Sequence, residues 1–189
     1  MPSFTHNGAT IYYEEYGKGF PILTFAPQGL LSTCEIWKDA SAPINPVTEW
    51  SGEFRVICMD QRNAPLGKSR APITAQDGWH SYTADHIAVL DHLKIDRCHL
   101  YGQCIGGPFI MGMLKAAPQR VACAVIAQPS GRVGELKPGW NARFTAWAEQ
   151  VRAFHPGLSD AALEGFYQNM YKAGFVYSVD REFVKTVQT

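Results

Sequence analysis

The sequence predicts an α/β fold, a mostly parallel sheet opened by an antiparallel hairpin and overlaid by helices. Three observations carry that prediction. Short apolar runs alternate with helical periodicity over residues 54–127, a hairpin signature stands near the N-terminus, and beyond residue 130 the strand signal gives way to aromatic residues at helical spacing.

The elements follow in order. Asn7-Gly8 suits a tight turn with positive φ and separates residues 4–6 from the β-rich run Thr10-Ile11-Tyr12-Tyr13. Gly17-Lys18-Gly19 ends that second strand, residues 21–26 form a short apolar strand, and Pro27-Gln28-Gly29 breaks it. An irregular stretch with Trp37, Pro43, Pro46 and Trp50 leads to Phe54-Arg55-Val56-Ile57-Cys58-Met59, which reads as a buried strand ending at Asp60. After a turn-rich segment, Tyr82, Ile87, Leu90 and Leu93, with Val89 alongside, keep helical spacing over residues 79–93. Asp85, Asp91 and His92 supply that helix's polar positions. Arg97-Cys98-His99-Leu100-Tyr101 is the next strand, an apolar helix spans residues 105–116 and stops before Pro118, and residues 121–127 read as a further buried strand. Strands alternating with helices argue for a parallel sheet covered on both faces. After Pro129-Ser130-Gly131, Trp140, Phe144, Trp147 and Val151, then Leu163, Phe166, Tyr167, Met170 and Tyr171, recur at helical spacing. The expected division is a sheet-bearing core over residues 1–129 and a helical region over 130–189, whose aromatic stripes serve packing first.

A chain of 189 residues can bury one sizeable core, a single domain with an appendage. Seventeen basic and seventeen acidic side chains cancel, and no run of Lys or Arg provides the footprint of a nucleic-acid or anionic-membrane binder. The longest apolar stretches are too short to span a bilayer, and Met1-Pro2-Ser3-Phe4 carries no charged-then-apolar leader. Five cysteines, Cys34, Cys58, Cys98, Cys104 and Cys123, make an odd count without CxxC pairs and fit a reducing cytoplasm. The expected partner is a small molecule, with no nucleic acid and no membrane.

Chemistry concentrates in Gly102-Gln103-Cys104-Ile105-Gly106, at a strand-to-helix junction. A nucleophile on such a sharp turn needs small neighbours two positions away on either side, which Gly102 and Gly106 provide, and Gly107 permits close helix packing. The unsatisfied N–H groups and positive dipole end at the helix mouth favour negative charge on the Cys104 sulfur. The N–H of Ile105 points into the space where an oxyanion forms on carbonyl attack. The plainer alternative is a small buried hydrophobe in an ordinary βα turn.

Competing motifs lose on geometry. Leu66-Gly67-Lys68-Ser69 resembles the end of a phosphate-binding loop, but Arg62 stands where its first Gly is required and Pro72 where a helix should start. Residues 102–107 spell GxxxGG, not the dinucleotide fingerprint GxGxxG. His80, His86 and His92 are six apart, off a common helical face, and read as solvated or capping residues; no metal site is expected. His99, in a strand, reads as a satisfied core or cap-facing residue.

These residues resemble the α/β-hydrolase family, whose elbow is usually Gly-x-Ser-x-Gly and in dienelactone hydrolases carries Cys. Ala26-Pro27-Gln28-Gly29 is similar to the family's oxyanion loop, which implies the N–H of Gln28 or Gly29 as second oxyanion donor. Asp60-Gln61-Arg62 with Gly67-x-Ser69 resembles the loop Asp-x-Arg-Gly-x-Gly-x-Ser after the fourth strand, with Asn63 in place of a Gly and two extra residues; Asp60 and Arg62 are read as structural. The resemblance implies that residues 130–189 form a cap, with Trp140, Phe144 and Trp147 as substrate wall. It also implies a hydrolase or acyltransferase acting on a small ester, lactone or thioester through acyl-Cys104, without metal or organic cofactor. In the family the triad acid and His follow the cap, after the seventh and eighth strands, whereas this chain ends at Thr189. His155 is the one histidine after the elbow helix. The expectation is therefore a C-terminally truncated fold with little activity unaided, whose edge strand at residues 121–127 favours self-association or a complementing C-terminal fragment. The rival from another class is a non-catalytic α/β-hydrolase-like ligand-binding protein or fragment.

Overall fold

The structure, a computed structural model, describes residues 2–39, 44–130 and 138–172, the side chains of residues 138–141, 171 and 172 excepted. Strands β1 (Ser3–His6) and β2 (Ala9–Tyr16) pair antiparallel across Asn7 and Gly8, whose φ values of 47° and 77° are the two left-handed residues a tight hairpin turn requires. Strand β3 (Phe20–Phe25) is followed by two 3₁₀ turns, Gly29–Leu31 and Cys34–Lys38, and by the short helix α1 (Pro46–Trp50). Asn45 caps α1 by accepting from the N–H groups of Val47 and Thr48. Then come β4 (Phe54–Met59), α2 (Trp79–His92), β5 (Cys98–Gln103), α3 (Gly106–Ala116) and β6 (Val121–Ala127). A cap of α4 (Pro138–Arg152), α5 (Asp160–Tyr167) and a π-helical turn (Gln168–Lys172) completes the described chain.

The sheet order is β1-β2-β4-β3-β5-β6. β4, β3, β5 and β6 are parallel, and β2 joins β4 antiparallel, so the hairpin extends the parallel sheet. Helices α2 and α3 cover one face, where Leu23, Phe25, Ile57, Leu90, Leu100, Phe109 and Ile110 are buried. Burying each such side chain contributes about 1.5–3 kcal/mol. The other face packs Trp37, Val56, Cys58 and Tyr101 under the 3₁₀ turns and α1.

The loop after β4 ties the layers together. Asp60 accepts from the N–H of Cys34 at 2.8 Å and of Lys68 at 2.6 Å, and Ser69 Oγ accepts from the N–H of Tyr12. Asn63 has φ 58°, a left-handed conformation that glycine, then Asn, adopts most readily, which accounts for Asn where a Gly was expected. Its carbonyl accepts from Trp147 Nε1 at 3.2 Å, fixing α4, while Trp79 Nε1 donates to the carbonyl of Met170 and Asn169 Nδ2 to those of Ala75 and Asp77. Trp147 also stacks on Phe166.

Five expectations are corrected. Residues 121–127 are not buried: β6 has one partner strand among the described residues, and Val125 is 53% exposed. Nor are both faces covered there, since Trp50, Phe54, Cys123 and Val125 border an open apolar groove. Asp85, taken as a polar-face residue, is buried in a bidentate pair with Arg62, whose Nε and Nη2 donate at 2.7 and 2.8 Å. His86 is neither solvated nor a cap: it is wholly buried between Phe25 and Phe109. His99, expected to be satisfied, packs against Phe20 and Phe54 and leaves its buried Nδ1 without a partner among the described residues.

Candidate active site

Between the end of β5 at Gln103 and the start of α3 at Gly106 the chain turns from strand to helix in two residues. Cys104 accomplishes this with φ 53°. The left-handed region costs a non-glycine residue about 1–2 kcal/mol, so the surroundings must hold it. They do so from the end of β6: Cys104 N–H donates to the Ala127 carbonyl at 3.1 Å, and the Cys104 carbonyl accepts from Ser130 N–H at 2.9 Å. Side chains have no room nearby. A Cβ on Gly102 would lie 2.7 Å from the Gly106 carbonyl group, one on Gly106 2.9 Å from the Phe25 oxygen, and one on Gly107 2.7 Å from Pro129 Cβ.

Facing the elbow across a cavity of about 380 Å³ is the loop after β3. Gln28 and Gly29 are both left-handed, with φ 79° and 64°. Their carbonyls accept from Leu31 and Ser32 N–H, and Ser32 Oγ donates to the Ala26 carbonyl, which rigidifies the loop. The N–H groups of Gln28, Gly29 and Ile105 have no hydrogen-bond partner among the described residues. Three backbone donors therefore border the space above Cys104, an arrangement that can stabilise developing negative charge on an oxygen.

Leu30, Leu31 and Ser130 complete the lower wall, and Arg143, Ala146, Trp147 and Gln150 form the upper one. The latter four stand at i, i+3, i+4 and i+7 and so share one face of α4. The cavity thus joins Cys104, Ile105, Gln28, Gly29 and Trp147. Gly102 and Gly106 lie beneath it in the elbow. Phe144 does not reach it but backs Trp147 at 5.5 Å between ring centroids, and the Trp140 side chain lies outside the described residues. Sequence reasoning missed Ser130, Arg143, Ala146 and Gln150. Stepping four residues back and three forward from Trp147 would have found Arg143 and Gln150, and Ala146 adjoins Trp147 in the chain.

No Asp, Glu or His lines the cavity among the described residues. His155 pairs its Nε2 with Asn63 Oδ1 at 3.0 Å, and burial draws its pKa below the ordinary value. His86 holds Gln61 Oε1 at 2.8 Å through Nε2, and burial, aided by the Arg62 charge, pushes its pKa down to about 3. Neither ring lines the Cys104 cavity. No cluster of three metal-ligating side chains occurs among the described residues, and no helix there is long and apolar enough to cross a membrane.

Comparison with known proteins fits this geometry. The family model described as alpha/beta hydrolase fold matches residues 28–176. A putative carbamate hydrolase, RutD, of Azorhizobium caulinodans is 32% identical over 130 residues, covering 67% of this chain and 43% of that protein. Carboxylesterase YbfK of Bacillus subtilis is 26% identical over 163 residues, covering 85% of this chain and 45% of that protein. The chain spans less than half the length of these relatives. Among solved structures, Est816, described as an N-acyl homoserine lactone degrading enzyme, superposes with a TM-score of 0.61 at 26% identity, covering 95% of this chain and 71% of its own.

Proposed function

Because the chain belongs to the α/β-hydrolase family, we propose that Cys104 is the nucleophile of a hydrolase or acyltransferase acting on a small ester, lactone or thioester. The observation that carries this reading is the left-handed Cys104 at the cavity floor, facing unengaged N–H donors. The thiolate attacks the carbonyl carbon and a C–S bond forms. The carbonyl electron pair moves onto oxygen, held by the N–H of Ile105 and of Gln28 or Gly29. Collapse of this intermediate breaks the bond to the leaving group, which takes a proton from solvent as it departs, and leaves acyl-Cys104. Water or another acceptor then takes the acyl group, and the thiol is restored. The carbamate, carboxyl-ester and lactone chemistries in the names of the relatives support the substrate class.

Residues 1–129 act as the catalytic core and residues 130–189, of which 131–137 and 173–189 lie outside the described residues, as cap, with Trp147 as substrate wall and Phe144 as its backing. Efficient turnover also needs a base and an acid for the leaving group, and these come from outside the described cavity residues. A cytoplasmic setting suits the free thiols. The edge of β6 that has no partner strand among the described residues takes a further strand, from a second copy or a complementing fragment.

One observation favours a second reading, that of a non-catalytic ligand-binding protein: the described cavity wall contains no acid or base side chain. Alkylation with iodoacetamide near neutral pH, resolved by mass spectrometry, separates them. Cys123 is the fair reference, since Cys34, Cys58 and Cys98 are buried. Cys104 is expected to react faster than Cys123. Equal or slower reaction would leave the binding reading.

A further inference from the structure

Strands β5 and β6 pair as far as Gln103 and Ala127, and the next residue on each strand is left-handed: Cys104 at φ 53° and Gln128 at φ 48°. The conformation is as unfavourable at Gln128 as at Cys104. Gln128 is not glycine, and it precedes Pro129, whose ring biases the residue before it toward extended backbone. Backbone strain of this kind persists where the surroundings over-determine it, and it gathers at functional sites. At Gln128 those surroundings are the elbow itself. Cys104 donates its N–H to the Ala127 carbonyl at 3.1 Å, and its own carbonyl accepts from the N–H of Ser130 at 2.9 Å and of Gly107 at 3.1 Å. Two residues three apart on one segment thus bond to a single residue of the other, so the chain folds back between them, at Gln128 and Pro129. Pro129 in turn rests on Gly107, where an added Cβ would stand 2.7 Å from the proline Cβ.

We propose that residues 127–130 form a clamp that aims the Cys104 thiol, and that Gln128 is its positioning residue, acting through its left-handed backbone. The proposal rests on the reading of Cys104 as nucleophile and deepens it by naming what holds the sulfur in line with the oxyanion donors. Gln128 is exposed and does not line the cavity, so its side chain is not the acting part. A residue at 128 that prefers extended backbone withdraws the Ser130 N–H from the Cys104 carbonyl. Cys104 is then held on one side only and relaxes toward the ordinary backbone regions. The sulfur moves off the line between the carbonyl carbon and the N–H groups of Ile105 and Gln28 or Gly29. Acyl transfer depends on that alignment, and a displacement of about 1 Å can cost about 100-fold. Alkylation by iodoacetamide develops no oxyanion and requires only an accessible thiol.

The test reads two reactions at the same sulfur. The burst of nitrophenol from a p-nitrophenyl ester of a short acid gives the acylation rate, and iodoacetamide followed by mass spectrometry gives the alkylation rate. Gln128→Val, whose β-branched side chain resists the left-handed region, is expected to slow acylation of Cys104 by about tenfold or more while alkylation stays within about twofold. Gln128→Asn, which takes that region more readily than other non-glycine residues, is expected to recover acylation. Cys34, Cys58 and Cys98 are buried and report folding in the same experiment by staying unlabelled. Should they label in Gln128→Val, Gly107→Ala takes its place, because its Cβ presses on Pro129 and shifts the clamp while residue 128 is unaltered. The same split between acylation and alkylation is expected there. Equal acylation in Gln128→Val and Gln128→Asn, or acylation and alkylation falling together in a folded variant, overturns the clamp and leaves Cys104 as nucleophile. Absence of acyl-Cys104 in the unsubstituted chain contradicts the nucleophile, and the clamp with it.

Discussion

The backbone of Cys104 stores strain that a glycine would not. At φ 53° the Cβ of Cys104 is crowded by its own backbone, and Cys104→Gly is expected to stabilise the fold by about 0.5–1 kcal/mol while removing the thiol. Chemical denaturation checks it; a loss of stability would mean that the Cys side chain contributes packing greater than the strain. Gly102→Ala is expected to cost about 1–3 kcal/mol, as overpacking does, because the new Cβ meets the Gly106 carbonyl at 2.7 Å. His86 gives a prediction in pH. Its pKa falls from the ordinary 6.5 to about 3 on folding, so between those values the unfolded chain binds the extra proton. Stability is thus fully present above about pH 6.5 and declines as pH is lowered toward 3, by at most about 1.4 kcal/mol per pH unit for one proton. Urea unfolding between pH 7 and 5 should show this slope, and His86→Gln should reduce it; His155, also lowered, leaves a smaller slope of the same sign. An unchanged slope in His86→Gln would contradict the assignment.

Among the elements, the hairpin, β4 and β6 were readable from sequence because each is a local signal: a turn pair, or an apolar run closed by a polar or breaker residue. The elbow was readable for the same reason, since Gly102, Cys104, Gly106 and Gly107 are close together in the chain. Asp85 and His86 on α2 were not, because their partners Arg62 and Gln61 come from a loop more than twenty residues away and leave no mark on helical periodicity. Arg143 and Gln150 were passed over because the aromatic stripe of α4 drew attention while the face it shares with polar residues did not. The Arg62 pair carries the element-scale prediction. Burial pushes the Asp85 pKa up while the adjacent guanidinium opposes the rise, and Arg62 is itself mostly buried. Asp85→Ala leaves that guanidinium Asp77 as its one carboxylate partner among the described residues and is expected to cost about 3–5 kcal/mol in thermal or urea unfolding, as breaking buried pairs does. A cost below about 1 kcal/mol would show that the pair is solvated.

For the molecule as a whole, the sheet ends on β6, whose other edge has no strand among the described residues and whose Val125 is exposed beside an apolar groove. Edge strands of this kind associate unless charged or covered. Val125→Lys is expected to reduce association of the chain in sedimentation experiments, and a wild-type protein that is monomeric at all concentrations would remove the basis for a strand-pairing edge. At the same scale, fold and family membership support a cavity in which one wall comes from the sheet and the other from the cap, with Cys104 at the floor. The most direct test of that account is incubation of the chain with a p-nitrophenyl ester of a short acid, followed by peptide mapping. The account predicts one acyl group, on Cys104, formed in a burst of released nitrophenol and absent in Cys104→Ala; an adduct distributed over exposed Cys123 and surface lysines, with no burst, would contradict it.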